Sequence, residues 1–414
     1  MPSAAPRSVD LINRLHNTER DKNRARNETT SKLSNYAIPE QRQSQSYKLP
    51  QRPHMKTRTI AVVNSSGRQA ASFIRVASAV GYNVRAQLRN LDGIVANEIS
   101  SLPRVTVFVG ELSSPNPKTN NINTELITEL FEGAQLAFIN TTFWGNEVAI
   151  GKYLADAAKK AGVQHYIYSS MPDHSRHNPK WPELPLWSAK FKIESYIRSI
   201  GLPATFVYTG IYNNNFTSLP YPLFCMELQE DGSFIWQAPF HPNVKLPWLD
   251  AEHDVGPAVL QLIKDGVRKW SGQRIALAYE MLTPLEACQL FSRGVGRPVT
   301  YRRGSIEIKV SIPKGYREQL AALESLFNIK NEGKEKQPPY FGSFELEKSC
   351  PQEALALWEG FRGLEEYARE VFPLEEAANG LVWMNEGNDD GYEDDGDEDD
   401  VLAMGKRKEE EWLA

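Results

Sequence analysis

The sequence predicts an α/β chain built on a doubly wound, mainly parallel sheet, with a smaller mixed α/β C-terminal domain after it. Three observations carry that prediction. Short apolar runs alternate with stretches of helical spacing from residue 59 to about 209. The runs are continuously apolar, as expected where helices cover both sheet faces. Strands separated by helix-length segments must pair in parallel, since parallel neighbours require crossovers.

The first run, Thr59-Ile-Ala-Val-Val-Asn64, is β-branched and bounded by turn residues, hence a buried strand. Residues 67–81 follow as a helix, with Phe73, Ile74, Ala77 and Val80 at helical spacing. The rhythm then gives strands at 82–88, 105–109, 135–142, 164–170 and 204–209. Helices are expected near 92–100, 124–132, 147–161 and 190–200. Beyond residue 210 it loosens. Pro-rich stretches at 219–222 and 239–242 precede a helix at 253–265, a strand at 274–279, and helices at 283–295 and 314–327. A polar insert from Asn331 to Gln337 reads as an exposed loop. A last helix, about 352–371, places Leu355, Trp358, Phe361, Leu364 and Tyr367 on one stripe.

Composition divides the chain into four parts: 1–55, 56–215, 216–384 and 385–414. Residues 1–58 carry twelve Lys/Arg against five Asp/Glu, and 386–414 carry thirteen acids against three bases. Of the formal net charge of −5, only about −2 is left for the centre. A nearly neutral centre argues against direct nucleic-acid binding, which calls for a basic face. Residues 1–55 lack the apolar content to repay ordering and are expected to be disordered, as is the self-repelling acidic tail. The basic run from Arg20 to Arg26 reads either as a solvated charge run or as a nuclear-import signal. Three widely spaced cysteines form neither a disulfide framework nor a zinc knuckle, which points to a reducing compartment, cytosol or nucleus. No apolar run reaches the roughly 18 residues of a membrane helix. The seven histidines show no metal-ligand spacing, so no metal is expected.

The chemistry concentrates where the first strand turns into the first helix, at Asn64-Ser-Ser-Gly67-Arg-Gln-Ala70. Rossmann-type folds place glycines here so that a pyrophosphate can reach the backbone and the helix N-terminus. Only the middle glycine is present. Asn64 stands in for the first, because Asn tolerates the left-handed region, and Ala70 for the third, which serves close packing. The second strand ends in Arg89, with no acid before Asp92. A base there accommodates a 2′-phosphate, or else simply ends an exposed strand. Met171 to Ser175, with Asp173 and His174, forms a loop at the carboxyl edge of the sheet, where sites gather.

Six segments then define a resemblance: TIAVVNSSGRQAASFIRVASAVG, LFEGAQLAFINTT, ADAAKKAGVQHYIYSSMPDHS, GLPATFVYTGIYNNNFTSLPYPLF, LPWLDAEHDVGPA and EEYAREVFPLEEAANGL. They resemble the NmrA-like branch of the atypical short-chain dehydrogenases, and within it the fungal regulators of nitrogen metabolite repression. The resemblance runs from about residue 57 to 384 and leaves out both charged ends. It implies a fold that binds NAD or NADP, oxidised forms preferred, without turning them over. It also implies a co-repressor, in nucleus and cytoplasm, that binds the zinc finger of a GATA-type activator. The implied cofactor residues are Asn64, Ser66, Gly67, Arg68 and Gln69 at the pyrophosphate and Arg89 at the ribose end. Asn140, Thr141 and Thr142 would line the adenosine and ribose, and Lys190 would reach the nicotinamide ribose. Tyr212, Asn213, Asn214 and Asn215 would lie near the nicotinamide.

The residues speak separately against catalysis. Active short-chain dehydrogenases carry Tyr-x-x-x-Lys, in which the lysine lowers the tyrosine pKa for proton transfer. Here the helix reads Leu186-Trp-Ser-Ala-Lys190, and leucine has no proton to give. Ser169 or Ser170 would be the serine partner. The rival reading is an NAD(P)H-dependent reductase of a small carbonyl compound. For a zinc-finger partner, the segment after the sixth strand offers acids and aromatics close together: Phe224, Glu227, Glu230, Asp231, Phe234 and Trp236.

Overall fold

In a computed structural model, the described residues are 58–113, 121–142, 146–218, 226–306, 314–327 and 337–379. The basic N-terminal segment, the acidic tail, Phe224 and residues 331–336 of the polar insert lie outside them.

The first half runs β1 (Thr59–Val62), α1 (Arg68–Ala79), β2 (Asn83–Leu88), α2 (Ile94–Ser101), β3 (Val105–Val109), α3 (Thr124–Phe131) and β4 (Leu136–Ile139). It continues with α4 (Glu147–Lys160), β5 (His165–Ser170), α5 (His174–His177), α6 (Pro185–Ser199) and β6 (Ala204–Thr209). Then come β7 (Ile211–Tyr212), α7 (Asn215–Ser218), β8 (Glu227–Leu228), β9 (Phe234–Ala238), β10 (Leu246–Leu249), α8 (Ala251–Asp265) and α9 (Val267–Trp270). The last elements are β11 (Arg274–Leu277), β12 (Glu280–Leu282), α10 (Pro284–Val295), β13 (Val299–Arg303), α11 (Lys314–Phe327), α12 (Phe344–Lys348), α13 (Gln352–Leu357), α14 (Leu364–Glu370) and α15 (Phe372–Asn379).

Seven strands form one sheet in the order β11-β6-β5-β4-β1-β2-β3, every pair parallel. Its two faces are packed separately. α3, α4 and α6 cover one, burying Ile127, Leu130, Leu154, Ile193 and Ile197 against Ala61, Ala137 and Tyr168. α1 and α8 cover the other, with Phe73, Ile74, Val255 and Val259 against Ile60, Val62 and Phe138. The sheet is doubly wound, as expected. The order reverses at β1, whose neighbours are β2 and β4, and a crevice forms outside the carboxyl ends of strands at such a switch point. α1 and α8 meet closely because Gly256 has no side chain; a Cβ there would collide with the Ser72 carbonyl, and Gly256 N donates to Ser72 Oγ at 3.0 Å.

The C-terminal region differs from the sequence-based expectation in three places. Two further three-stranded sheets, β12-β10-β7 and β13-β9-β8, occupy segments where no strand was expected, all of them outside the strand predicted over 274–279. That predicted strand ends at Leu277, and β12 then joins a different sheet by pairing antiparallel to β10. The expected helix over 352–371 is two helices, α13 and α14, joined by an extended stretch. The break has a cause: Arg362 N donates to the buried Asp254 Oδ1 at 3.1 Å and Leu364 N to the half-buried Glu280 Oε2 at 2.7 Å, so carboxylates replace helical carbonyls as acceptors. Gln337, read as exposed, is buried and accepts from His241 N at 2.6 Å. No helix among the described residues is long and apolar enough to cross a membrane.

Candidate dinucleotide site

Asn64 follows β1 with φ of +50°, the left-handed conformation anticipated for an Asn in the place of glycine. Gln87 of β2 holds it there, its Oε1 accepting from Asn64 N at 2.9 Å. The turn closes through Gly67 N donating to Asn64 O at 2.9 Å, and a Cβ on Gly67 would sit 3.2 Å from that same oxygen. α1 therefore starts at a residue with no side-chain cap and with no acid in the first turn. Its leading N–H groups are available to an anion. Ala70, in the third glycine position, is buried at the contact of α1 with the sheet.

Several expected residues converge on this turn. Asn64 Nδ2 donates to Asn140 O at 2.6 Å, linking β1 to the end of β4. Lys190, on α6, donates to Asn140 Oδ1 at 3.4 Å and to the Thr141 carbonyl. Gln69 Nε2 donates to the Tyr212 hydroxyl, which ties α1 to β7. Asn214 Oδ1 accepts from Ala251 N at 3.1 Å, fixing the start of α8. Asn213 is fully buried, yet neither its Oδ1 nor its Nδ2 has a hydrogen-bond partner, and Gln69 Oε1 lacks one as well. Ser66 is half-buried within the turn, and Asn215 opens α7. Thr142 is exposed, Arg89 is the first residue after β2, and Arg68 turns aside to pair with Glu252.

Sequence reasoning missed two parts of this site. Glu147, buried at the start of α4, ion-pairs with Lys190 at 3.1 Å and accepts from Thr141 Oγ1 at 2.7 Å. Tyr168 joins them, its hydroxyl 2.8 Å from Thr141 Oγ1, and burial holds its pKa well above the ordinary value. The second part is residues 337–342, all of them buried. Tyr340 packs edge-on against Trp187 with ring centroids 5.1 Å apart, and the Pro339 carbonyl lies 2.9 Å from His174 Nε2. Glu147 meets Lys190 across 43 residues of sequence and Tyr340 meets Trp187 across a longer gap, so no local pattern marks either contact.

On α6, Leu186 lies one turn before Lys190, its backbone N donating to Gln319 Oε1 at 3.0 Å. Ser170 does not face the cleft as a serine partner would. Its hydroxyl donates to the buried Glu194 at 2.9 Å, together with the Tyr208 hydroxyl at 2.9 Å and Arg274 at 2.8 Å. Asp173 caps α5 through Ser175 N, and His165 pairs with Thr205 Oγ1 at 2.8 Å, both structural roles. Two of the three aromatic anchors expected for a partner are not at the surface: Phe234 and Trp236 are fully buried on β9, packed against Phe372, Phe216 and Trp248. Glu230 and Asp231 are exposed and Glu227 is half-buried. Among the described residues, no three His, Cys, Asp or Glu side chains group as a metal site would require.

The family model for the NmrA-like family matches residues 56–368. The chain belongs to the NmrA-like family. It is 63% identical to the nitrogen metabolite repression protein nmr of Neurospora crassa over 94% of this chain and 83% of that protein. It is 54% identical to the nitrogen metabolite repression protein nmrA of Emericella nidulans, over 79% of this chain and 98% of that one. Crystal structures of Nmra, a negative transcriptional regulator, in complex with NAD and with NADP superpose on it with a TM-score of 0.72 at 58% identity. They cover 80% of this chain and 100% of the solved one.

Proposed function

We propose that this chain is a negative regulator of nitrogen metabolite repression that binds NAD or NADP without turning them over and docks on the zinc finger of a GATA-type activator. The relatives' names and the NAD and NADP complexes of Nmra support the regulatory role and the cofactor. The observation that carries the reading is the pairing, within one cleft, of an open helix N-terminus after Asn64 with leucine one turn before Lys190.

A bound dinucleotide supplies a hydride acceptor or donor at its nicotinamide. The chain's residues bind and orient it. The N–H groups of Arg68 and Gln69 meet the pyrophosphate, Arg89 meets a 2′-phosphate, and Lys190 meets the nicotinamide ribose. The unpartnered amide of Asn213 suits a carboxamide, which offers both a donor and an acceptor. The tyrosine–lysine proton relay is then missing: Leu186 has no proton to give, and the Ser170 hydroxyl is committed to Glu194. Residues 56–215 carry the cofactor and 216–384 the partner surface, while the acidic tail is dispensable for both. The protein acts in nucleus and cytoplasm. Calorimetric titration with the four dinucleotides should show binding that favours the oxidised forms. Incubation with NADPH and a panel of aldehydes and ketones should leave absorbance at 340 nm unchanged. Steady oxidation of NADPH would establish the reductase reading instead.

A further inference from the structure

Arg68 begins α1 inside the phosphate-binding turn, yet only a tenth of its side chain is exposed and two carboxylates share its guanidinium. Glu252, in the first turn of α8, pairs with it directly. Glu375, on the C-terminal helix α15, stands 3.9 Å from it. α15 is fixed independently. Phe372 is buried against Phe234 and Phe291, Glu376 pairs with Arg297 at 2.6 Å, and the Tyr367 hydroxyl donates to Glu375 at 2.9 Å. The neighbouring charges are already committed. Arg362 lies 3.3 Å from the buried Asp250, and His253 lies 2.7 Å from the buried Asp254. Among the described residues named here, four acids thus stand against three bases around Arg68.

We propose that Glu375 and Glu252 set the affinity of the dinucleotide site by competing for Arg68, so that cofactor occupancy is coupled to the docking of the C-terminal helix. This rests on the cofactor reading above. A pyrophosphate arriving at the start of α1 brings negative charge beside two carboxylates, and Arg68 cannot neutralise all of them. Binding therefore draws Arg68 from Glu375 and weakens the hold on α15. Linkage makes the effect reciprocal: whatever removes α15 from Arg68 tightens the cofactor.

The test is calorimetry with NAD and NADP on the full chain and on Glu375→Gln, Glu252→Gln and Arg68→Ala, alone and combined. Glu375→Gln keeps a group that can accept from Tyr367 and should tighten both dinucleotides by about fivefold. Glu252→Gln should act in the same direction. In the Arg68→Ala background, either substitution should change affinity less than about twofold. Amide exchange across residues 372–377 should quicken on adding NAD to the unaltered chain and not in Glu375→Gln. Unchanged or weaker binding by both glutamine variants, with exchange indifferent to NAD, overturns the inference while the cofactor reading stands. An unaltered chain that binds neither dinucleotide overturns both.

Discussion

Asn64 shows how much one residue can settle. The left-handed region costs a residue with a Cβ about 1 kcal/mol or more, which glycine avoids and asparagine partly recovers by local hydrogen bonding. Here the side chain reaches the Asn140 carbonyl at 2.6 Å, so the residue that makes the turn also joins the two strands flanking the switch point. Arg89 is the first residue after β2. With no acid before Asp92, nothing at the end of β2 repels a 2′-phosphate. A guanidinium–phosphate contact contributes about 1.5–3 kcal/mol when part-shielded. NADP should therefore bind at least as tightly as NAD. Arg89→Ala should weaken NADP by about tenfold or more and NAD far less. Equal losses for both in the same titration would show that Arg89 does not meet the phosphate.

At the scale of elements, burial and pH are linked through α5. His174 is fully buried, one ring nitrogen faces the Pro339 carbonyl, and the other has no partner. Burial pushes its pKa down to about 4 from the ordinary 6.5. The folded state thus refuses a proton that the unfolded chain accepts between those values. The contribution to stability is complete above pH 6.5 and is lost as pH falls toward 4. Between pH 7 and pH 5 it amounts to about 2 kcal/mol. Urea unfolding at the two pH values should show that difference in the unaltered chain and a smaller one in His174→Gln; identical pH dependence would refute it. The same contact shows where sequence reading stops. β1 to β6 were legible because each is a short strand-like run in a regular strand–helix alternation, and the Asn64–Gly67 turn was legible because backbone conformation selects its residues. The packing of Tyr340 on Trp187, the Glu147–Lys190 pair and the break after α13 depend on partners scores of residues away, which no local pattern encodes. β9 and β10 were missed because each is short and lies among Pro-rich segments that read as loop.

At the scale of the molecule, charge decides how a basic partner is met. A zinc finger that neutralises phosphates presents a cationic face, and a protein that masks it needs acids placed locally. The burial of Phe234 and Trp236 takes two of the three expected aromatics out of the patch after β6, while its acids Glu230 and Asp231 are exposed. Glu230 and Asp231 stand at an exposed turn between β8 and β9, with Glu227 beside them on β8. Contacts between exposed charges are screened by salt and contribute mainly to association rate. The chain should therefore bind the zinc-finger fragment of a GATA activator at physiological salt, with affinity falling as salt rises. Glu227→Lys and Glu230→Lys together should weaken binding by about tenfold through slower association. Truncation before Glu386 should leave most of the binding, because the NmrA-like match ends before that tail. The opposite pattern, with truncation abolishing binding and the paired lysine substitutions doing nothing, would make the tail's carboxylates the docking element. A tail of that charge would attract any basic domain alike, so selectivity for the GATA finger over an unrelated basic domain of equal charge separates the two surfaces.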